Sequence, residues 1–393
     1  MKTSLPLHGI VVADFSRVLA GPLCTMLLAD LGARVIKIEE PRGDETRRWG
    51  PPFVQGESAY FLSVNRNKES ITINLKTREG RAVARRIVER ADVVVDNFRR
   101  AQREKFGLTV RSIRRINRRA ICCTITGFDP DGPDADLPGY DLLAQAAGGL
   151  MSITGPADGE PSKVGVALAD VLTGHYAYGA ICAALFARER SGRGEAIEVS
   201  LFGSTVASLV NVAQNYLVTG AEAKRYGNAH ASIVPYQTFH AADRMFALAV
   251  ATDRHFEVFC RDVLGEPELS ADRRYRTNAS RVKNRKTLVA KLEARFRTRR
   301  ARGWVSRCRE VGIPAALVRG IREVFAEDPS LQSVIRHTGV GDLALVRSPL
   351  RFSGRRLSIA LPPPRLGEQT GRILRELGYA MDQIRELRAL DAI

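Results

Sequence analysis

Asp170 stands where a loop gives way to a long apolar helix, in Lys163-Val164-Gly165-Val166-Ala167-Leu168-Ala169-Asp170-Val171-Leu172-Thr173-Gly174. Two readings fit an acid at that junction. Aspartate is among the best N-cap residues, because its side-chain oxygen accepts a free backbone N–H of the first turn. A carboxylate can also be the nucleophile of covalent catalysis, and the positive end of a helix favours its ionised form. His175 follows five residues later, which on a helix turns it to a different face. No G-x-S-x-G elbow accompanies it, so the stretch does not read as a hydrolase triad.

A second turn with chemical potential is Phe15-Ser16-Arg17-Val18-Leu19-Ala20-Gly21-Pro22. It lies between a strand and a helix, where a dinucleotide site would carry G-x-G-x-x-G. Only one glycine is present, so a pyrophosphate could not approach the backbone as that fold requires. Glu39 or Glu40 near the ribose position does not rescue the motif. There is no P-loop, but the helix N-terminus behind Arg17 is suited to some other anion. The six cysteines show neither C-x-x-C nor Cys/His spacing, so neither a metal site nor a disulfide framework is expected.

The elements that must position these residues alternate. Apolar runs at 9–15, 35–39, 70–75, 92–96, 120–125 and 196–200 read as strands. Helices are expected at 22–31, 78–91, 142–149, 170–189 and 201–218. Strands alternating with helices mean an α/β fold with a parallel sheet, a Rossmann-like large domain. Residues 129–138, rich in Asp, Pro and Gly, must form a loop. Beyond Thr219 the character changes, with a strand at 245–250 and helices at 254–265 and 286–297. A smaller α+β domain is placed at 225–325, and the large domain at 1–224 is completed by 326–393.

With 393 residues, 45% of them hydrophobic and 26% charged, the chain has an ordinary globular composition and a length that suits two domains. No apolar run approaches a membrane span and the first ten residues hold no signal core, so a cytoplasmic protein is expected. The net charge of +17 hints at an anionic partner. It is mostly arginine and spread along the chain. With no zinc finger, helix-turn-helix or aromatic-interleaved strand, nucleic acid is not the expected partner.

The sequence resembles family III coenzyme A transferases almost end to end. The resemblance is carried by Asp14-Phe15-Ser16-Arg17-Val18-Leu19-Ala20-Gly21-Pro22, Leu31-Gly32-Ala33-Arg34-Val35-Ile36-Lys37-Ile38-Glu39, Gly43-Asp44-Glu45-Thr46-Arg47, Asn65-Arg66-Asn67-Lys68, Asp96-Asn97-Phe98-Arg99, Gly139-Tyr140-Asp141, Ala169-Asp170 and Leu366-Gly367-Glu368-Gln369-Thr370. It implies an interlocked homodimer with no permanent cofactor and no metal. An acyl-CoA and a small carboxylic acid would be the substrates, with Asp170 as the nucleophile. It further implies coenzyme A contacts at Val18, Leu19, Ala20, Ile73, Lys76, Asn97, Phe98, Lys105 and Tyr140. The family's usual Pro-Gly after Arg99 is replaced by Arg100-Ala101, which alters the loop and adds arginine suited to phosphate.

The stretch Arg225 to Gln237 resembles succinyl-CoA-dependent transferases that use dicarboxylates. Arg17, Arg47, Asp141, His230 and Ser232 are the candidates for binding the acid, arginine being suited to bidentate carboxylate contacts. The rival reading is a 2-methylacyl-CoA racemase of the same fold. Those enzymes resemble this chain but carry Gly-His-Asp, whose histidine is a general base. Tyr140 stands there instead, and a phenol titrating near 10 is a poor base at neutral pH.

Overall fold

The structure, a computed structural model, describes residues 5–135 and 137–393. The short apolar runs form one sheet of six parallel strands: β1 Val11–Asp14, β2 Arg34–Glu39, β3 Lys68–Thr72, β4 Val93–Asp96, β5 Ile121–Thr126 and β6 Ala196–Ser200. Their spatial order is β3-β2-β1-β4-β5-β6. The helices joined to this sheet are α1 Ala20–Asp30, α2 Ala59–Ser63, α3 Arg78–Arg90, α4 Arg100–Phe106, α5 Val110–Ile116, α6 Asp141–Ala147, α7 Leu168–Ser191, α8 Leu201–Ser208, α9 Val210–Thr219, α10 Thr370–Glu376 and α11 Met381–Ala389.

Alternate strand residues enter opposite cores, as the period of two demands. Val12, Val35, Val93 and Val95 pack against Cys24 and Leu28 of α1 and Ala177 and Ile181 of α7. Ala13, Ile36 and Val94 pack against Val83 and Ile87 of α3, Ile113 of α5, and Ile373, Leu374 and Ile384 of α10 and α11. Each fully buried aliphatic side chain of this kind contributes about 1.5–3 kcal/mol. The chain runs β1, β2, β3 in one direction and then returns to the other side of β1 for β4, β5 and β6. The order reverses between β1 and β4. In open α/β sheets the crevice outside the carboxyl ends at such a reversal is where ligands bind.

Several boundaries differ from the sequence reading. The third strand begins at Lys68 and ends at Thr72, because Lys68 and Glu69, polar in sequence, are buried against partners. The helix expected over 201–218 is two helices, broken at Leu209, with Val210 at φ 40°. The one expected at 254–265 is an α-helix at Asp253–Val258 continued by a wider π-helical turn at Phe259–Leu264. Asp170 is not an N-cap. It is the third residue of α7, and Ala167 holds the cap position.

By chain contacts the protein forms two compact units: Met1–Met151 with Lys163–Ala221 and Ser330–Ile393, and Ser152–Ser162 with Glu222–Pro329. Sequence alone assigns 152–162 to the larger unit. Arg225 instead binds it to the smaller one, donating to the carbonyls of Ser152 at 3.2 Å and Gly159 at 2.7 Å. The smaller unit has a three-stranded antiparallel sheet of Tyr236–His240, Met245–Ala249 and Ala315–Leu317. Its core centres on Phe239, Phe246, Phe296 and Trp304. Among the described residues no helix is long and apolar enough to cross a membrane.

Candidate active site

The loop after β1 is gripped from below by buried charges. The side chains of Asp14, Lys37, Asp44 and Lys68 are all 0% exposed. Lys37 Nζ lies 2.9 Å from Asp44 Oδ2, and Lys68 Nζ lies 3.2 Å from Asp14 Oδ2. Burial alone would raise the Asp14 carboxyl, but Lys68 and Lys37 outweigh it and hold it below the usual range. Lys68 is pushed down to about 8 by burial, which Asp14 only partly opposes.

The same groups hold the loop backbone. Lys37 donates to the Ser16 carbonyl at 3.0 Å and Lys68 to the Pro22 carbonyl at 2.8 Å. Asp44 accepts the Val18 N–H at 3.3 Å. Asn97 clasps Arg17 at both ends, accepting its N–H at 3.1 Å and donating to its carbonyl at 2.8 Å. Val18 is thereby held at φ 70°. That left-handed conformation is an outlier for a β-branched residue and costs about 1–3 kcal/mol.

The turn ends at Ala20, whose N–H lies near enough to the Asp170 carboxylate to favour its charged form. Burial raises the Asp170 carboxyl, the charge of Asp141 raises it further, and the Ala20 N–H lowers it; the outcome is about 7. Tyr60 of α2 feels the same charges. Burial, then Asp170, Asp141 and Asp44, push its phenol up to about 12. Trp49 packs edge-on to Tyr60 with centroids 5.3 Å apart.

Asp170 opens into a cavity of about 190 Å³ at the carboxyl ends of β1, β4 and β5. Arg17, Val18, Ala20, Asn97, Phe98 and Tyr140 line it, as does a group of arginines at the start of α4, Arg99, Arg100 and Arg103. Arg17 pairs with Glu45 at 3.2 Å and lies over the Phe98 ring at 5.7 Å. Its Nε is buried with no partner among the described residues. Arg103 donates to Thr124 at 3.0 Å. Beside it, burial lifts Asp96 to about 6 against the pull of Arg103. Cations beside a carboxylate of near-neutral pKa suit an anionic substrate and acyl chemistry.

The remaining sequence candidates lie elsewhere. Ile73 is in the core beneath α3. Lys76 and Lys105 are exposed and line no part of the cavity. Leu19 is the N-cap residue of α1. Arg47 is committed to a bidentate pair with Glu39, both bonds 2.7 Å, and stacks on Phe61 at 3.6 Å. Asp141 faces the backbone at the start of α7. His230 and Ser232 belong to the smaller unit, where the Ser232 N–H donates to His230 Nδ1 at 3.1 Å and Arg285 holds the His230 carbonyl at 2.7 Å. Sequence reasoning missed Glu45, Tyr60 and Arg103. No motif marks Tyr60, whereas Arg103 stands one turn from Arg99 and Arg100, and that helical spacing was the available signal.

A doubly wound sheet whose switch-point cavity joins a carboxylate of raised pKa to several arginines marks an enzyme. The chain belongs to CoA-transferase family III, which it matches over residues 7–370. It is 45% identical over 377 residues to succinyl-CoA:glutarate CoA-transferase of Mus musculus, covering 95% of this chain and 86% of that one. It is 42% identical over 384 residues to succinate–glutarate CoA-transferase of Agrobacterium fabrum, covering 95% and 96%. Among solved structures, a CaiB/BaiF family protein from Brucella suis superposes with a TM-score of 0.85 at 42% identity, covering 95% of this chain and all of that one.

Proposed function

We propose that this CoA-transferase moves CoA from succinyl-CoA to a dicarboxylic acid, glutarate being the first acceptor to test, with acyl groups carried on Asp170. The donor and acceptor rest on the named relatives at 42–45% identity. The covalent role rests on one observation: Asp170 opens into the arginine-lined cavity with its carboxyl raised to about 7.

An Asp170 oxygen attacks the thioester carbonyl carbon. The C–S bond breaks, CoA leaves as its thiolate, and a mixed anhydride remains on the side chain. The thiolate then attacks the aspartyl carbonyl, releasing succinate and leaving an aspartyl-CoA thioester. The acceptor carboxylate reverses these steps and departs as the new acyl-CoA. A thioester is exchanged for a thioester, so the reaction is nearly isoenergetic and needs no ATP. A carboxylate with a pKa near the working pH is a stronger nucleophile than an ordinary aspartate and is still about half ionised there. The Ala20 N–H, at the first helical residue of α1, is suited to developing oxyanions. Arg99, Arg100 and Arg103 would face the CoA phosphates, and Arg17 the far carboxylate of the acid.

We also infer a homodimer. Phe186, Val210, Leu217 and Val218 are each more than two-thirds exposed, an apolar display that a second copy would cover.

The test is exchange between succinyl-CoA and a panel of free acids, with mass spectrometry of trapped enzyme. Asp170→Ala should abolish exchange and the adduct on its peptide. Exchange at the wild-type rate in that variant would refute the nucleophile. Solvent deuterium entering a 2-methylacyl-CoA with no free acid present would point to a racemase instead.

A further inference from the structure

We propose that Asp141, acting with Gln145, is a positioning residue for Asp170: it fixes the first turn of α7 and holds a negative charge against the acyl-carrying carboxylate. This rests on the covalent reading above and deepens it.

Helix α7 runs for 24 residues, yet its N-cap, Ala167, has no side chain able to accept a hydrogen bond. The N–H groups of a first turn need such acceptors. Asp141 of α6 supplies one from outside: its Oδ1 accepts the Ala169 N–H at 2.8 Å, one residue before Asp170. Its other oxygen accepts from Gln145 Nε2 at 2.8 Å. Gln145 is fully buried, and its Oε1 accepts the Val164 N–H at 2.9 Å. Two side chains thus tie α6, the loop leading into α7, and the turn bearing Asp170.

The position of Asp141 is itself fixed. Gly139 crosses Gly127, just past the end of β5, so closely that a Cβ on Gly139 would lie 2.0 Å from the Gly127 Cα. No other residue fits at either position.

The charge has a consequence for the chemistry. Before attack, the Asp141 charge opposes ionisation of Asp170. When the Asp170 oxygen bonds the acyl carbon and the C–S bond breaks, the negative charge leaves on sulfur and the repulsion is relieved. Asp141 therefore favours the acylated enzyme over the free carboxylate. The other groups acting on or near Asp170 are Tyr60 of α2 and the Ala20 N–H of α1, and the charged residues that line the same cavity are Arg17, Glu45, Arg99, Arg100 and Arg103.

The experiment compares the wild type, Asp141→Asn and Asp141→Ala in kcat/KM against pH for succinyl-CoA and glutarate. Trapping of the adduct and thermal melting are run alongside. The asparagine can still accept from Ala169 but carries no charge. Its acid limb should move about one pH unit lower than wild type, with a lower plateau. Asp141→Ala should lose more rate than Asp141→Asn, because it also loses the cap. An Asp141→Asn limb that coincides with wild type would overturn the charge, and an Asp141→Ala plateau equal to that of Asp141→Asn would overturn the cap. Either result beside a normal wild-type adduct leaves the covalent reading standing. A wild-type enzyme that never forms the adduct fails that reading itself.

Discussion

A Cβ on Gly174 would lie 2.8 Å from the carbonyl oxygen of Ala20. Gly174 is one turn past Asp170 on the same face of α7. Glycine there is what allows α1 to begin against α7 and its Ala20 N–H to reach the Asp170 carboxylate.

Gly174→Ala should therefore push the two helices apart and misplace that N–H. A displacement near 1 Å lowers kcat by about a hundredfold. Steady-state kinetics with circular dichroism would check this, the helical signal being retained.

The near-neutral Asp170 makes two pH predictions. In the proposed covalent mechanism the ionised form attacks, so kcat/KM should fall tenfold per unit as pH drops below about 7. Stability moves with the opposite sign. The ordinary carboxyl titrates at 3.8, and folding raises it to about 7. The stability this group contributes is full below about pH 4 and is lost as pH rises through 7. Asp170→Asn cannot ionise, so it should melt about 1–3 °C above wild type at pH 8. The gap should narrow as the pH is lowered toward 5.

Lys68→Met leaves Asp14 buried without the cation it pairs with directly, 3.2 Å away. Breaking one partner of a buried pair costs about 3–5 kcal/mol, readable by urea unfolding. Adding Asp14→Leu should recover much of that stability and little of the activity, since the Lys68 bond to the Pro22 carbonyl stays lost.

Arg99→Ala and Arg100→Ala should each raise KM for succinyl-CoA about tenfold, the scale of one charge-assisted bond to phosphate. A succinyl thioester of N-acetylcysteamine, which has no phosphates, should be turned over equally by variants and wild type. Loss of activity toward both substrates would deny these arginines a phosphate role.

Much of this was legible because residue types repeat with the sheet and helix periods. Val11 to Asp14, Val93 to Asp96 and the long helix carrying Asp170 are visible as patterns. What was not legible depends on pairing across distance. Lys68 carries no strand signal of its own until Asp14 is set beside it, so the apolar pattern marks the third strand only from residue 70. Arg47 looks like a free carboxylate donor until Glu39 takes both of its nitrogens. Lys76 and Lys105 fit a phosphate by type, but both are exposed and neither lines the cavity. Tyr60 feels the charge of Asp170 through a tertiary arrangement that no local spacing encodes.

The sealed lysines Lys37 and Lys68 have a consequence for durability. Thioesters acylate neutral amines, and Lys68, drawn down to about 8, would be among the most reactive amines on the protein if a substrate could touch it. Wholly buried, it is out of reach. The same economy runs through the chain, where only 10 of the 60 basic residues are lysine. Guanidinium groups remain protonated and do not compete for activated acyl groups, so the protein keeps its positive charge in a form its own substrates do not erode.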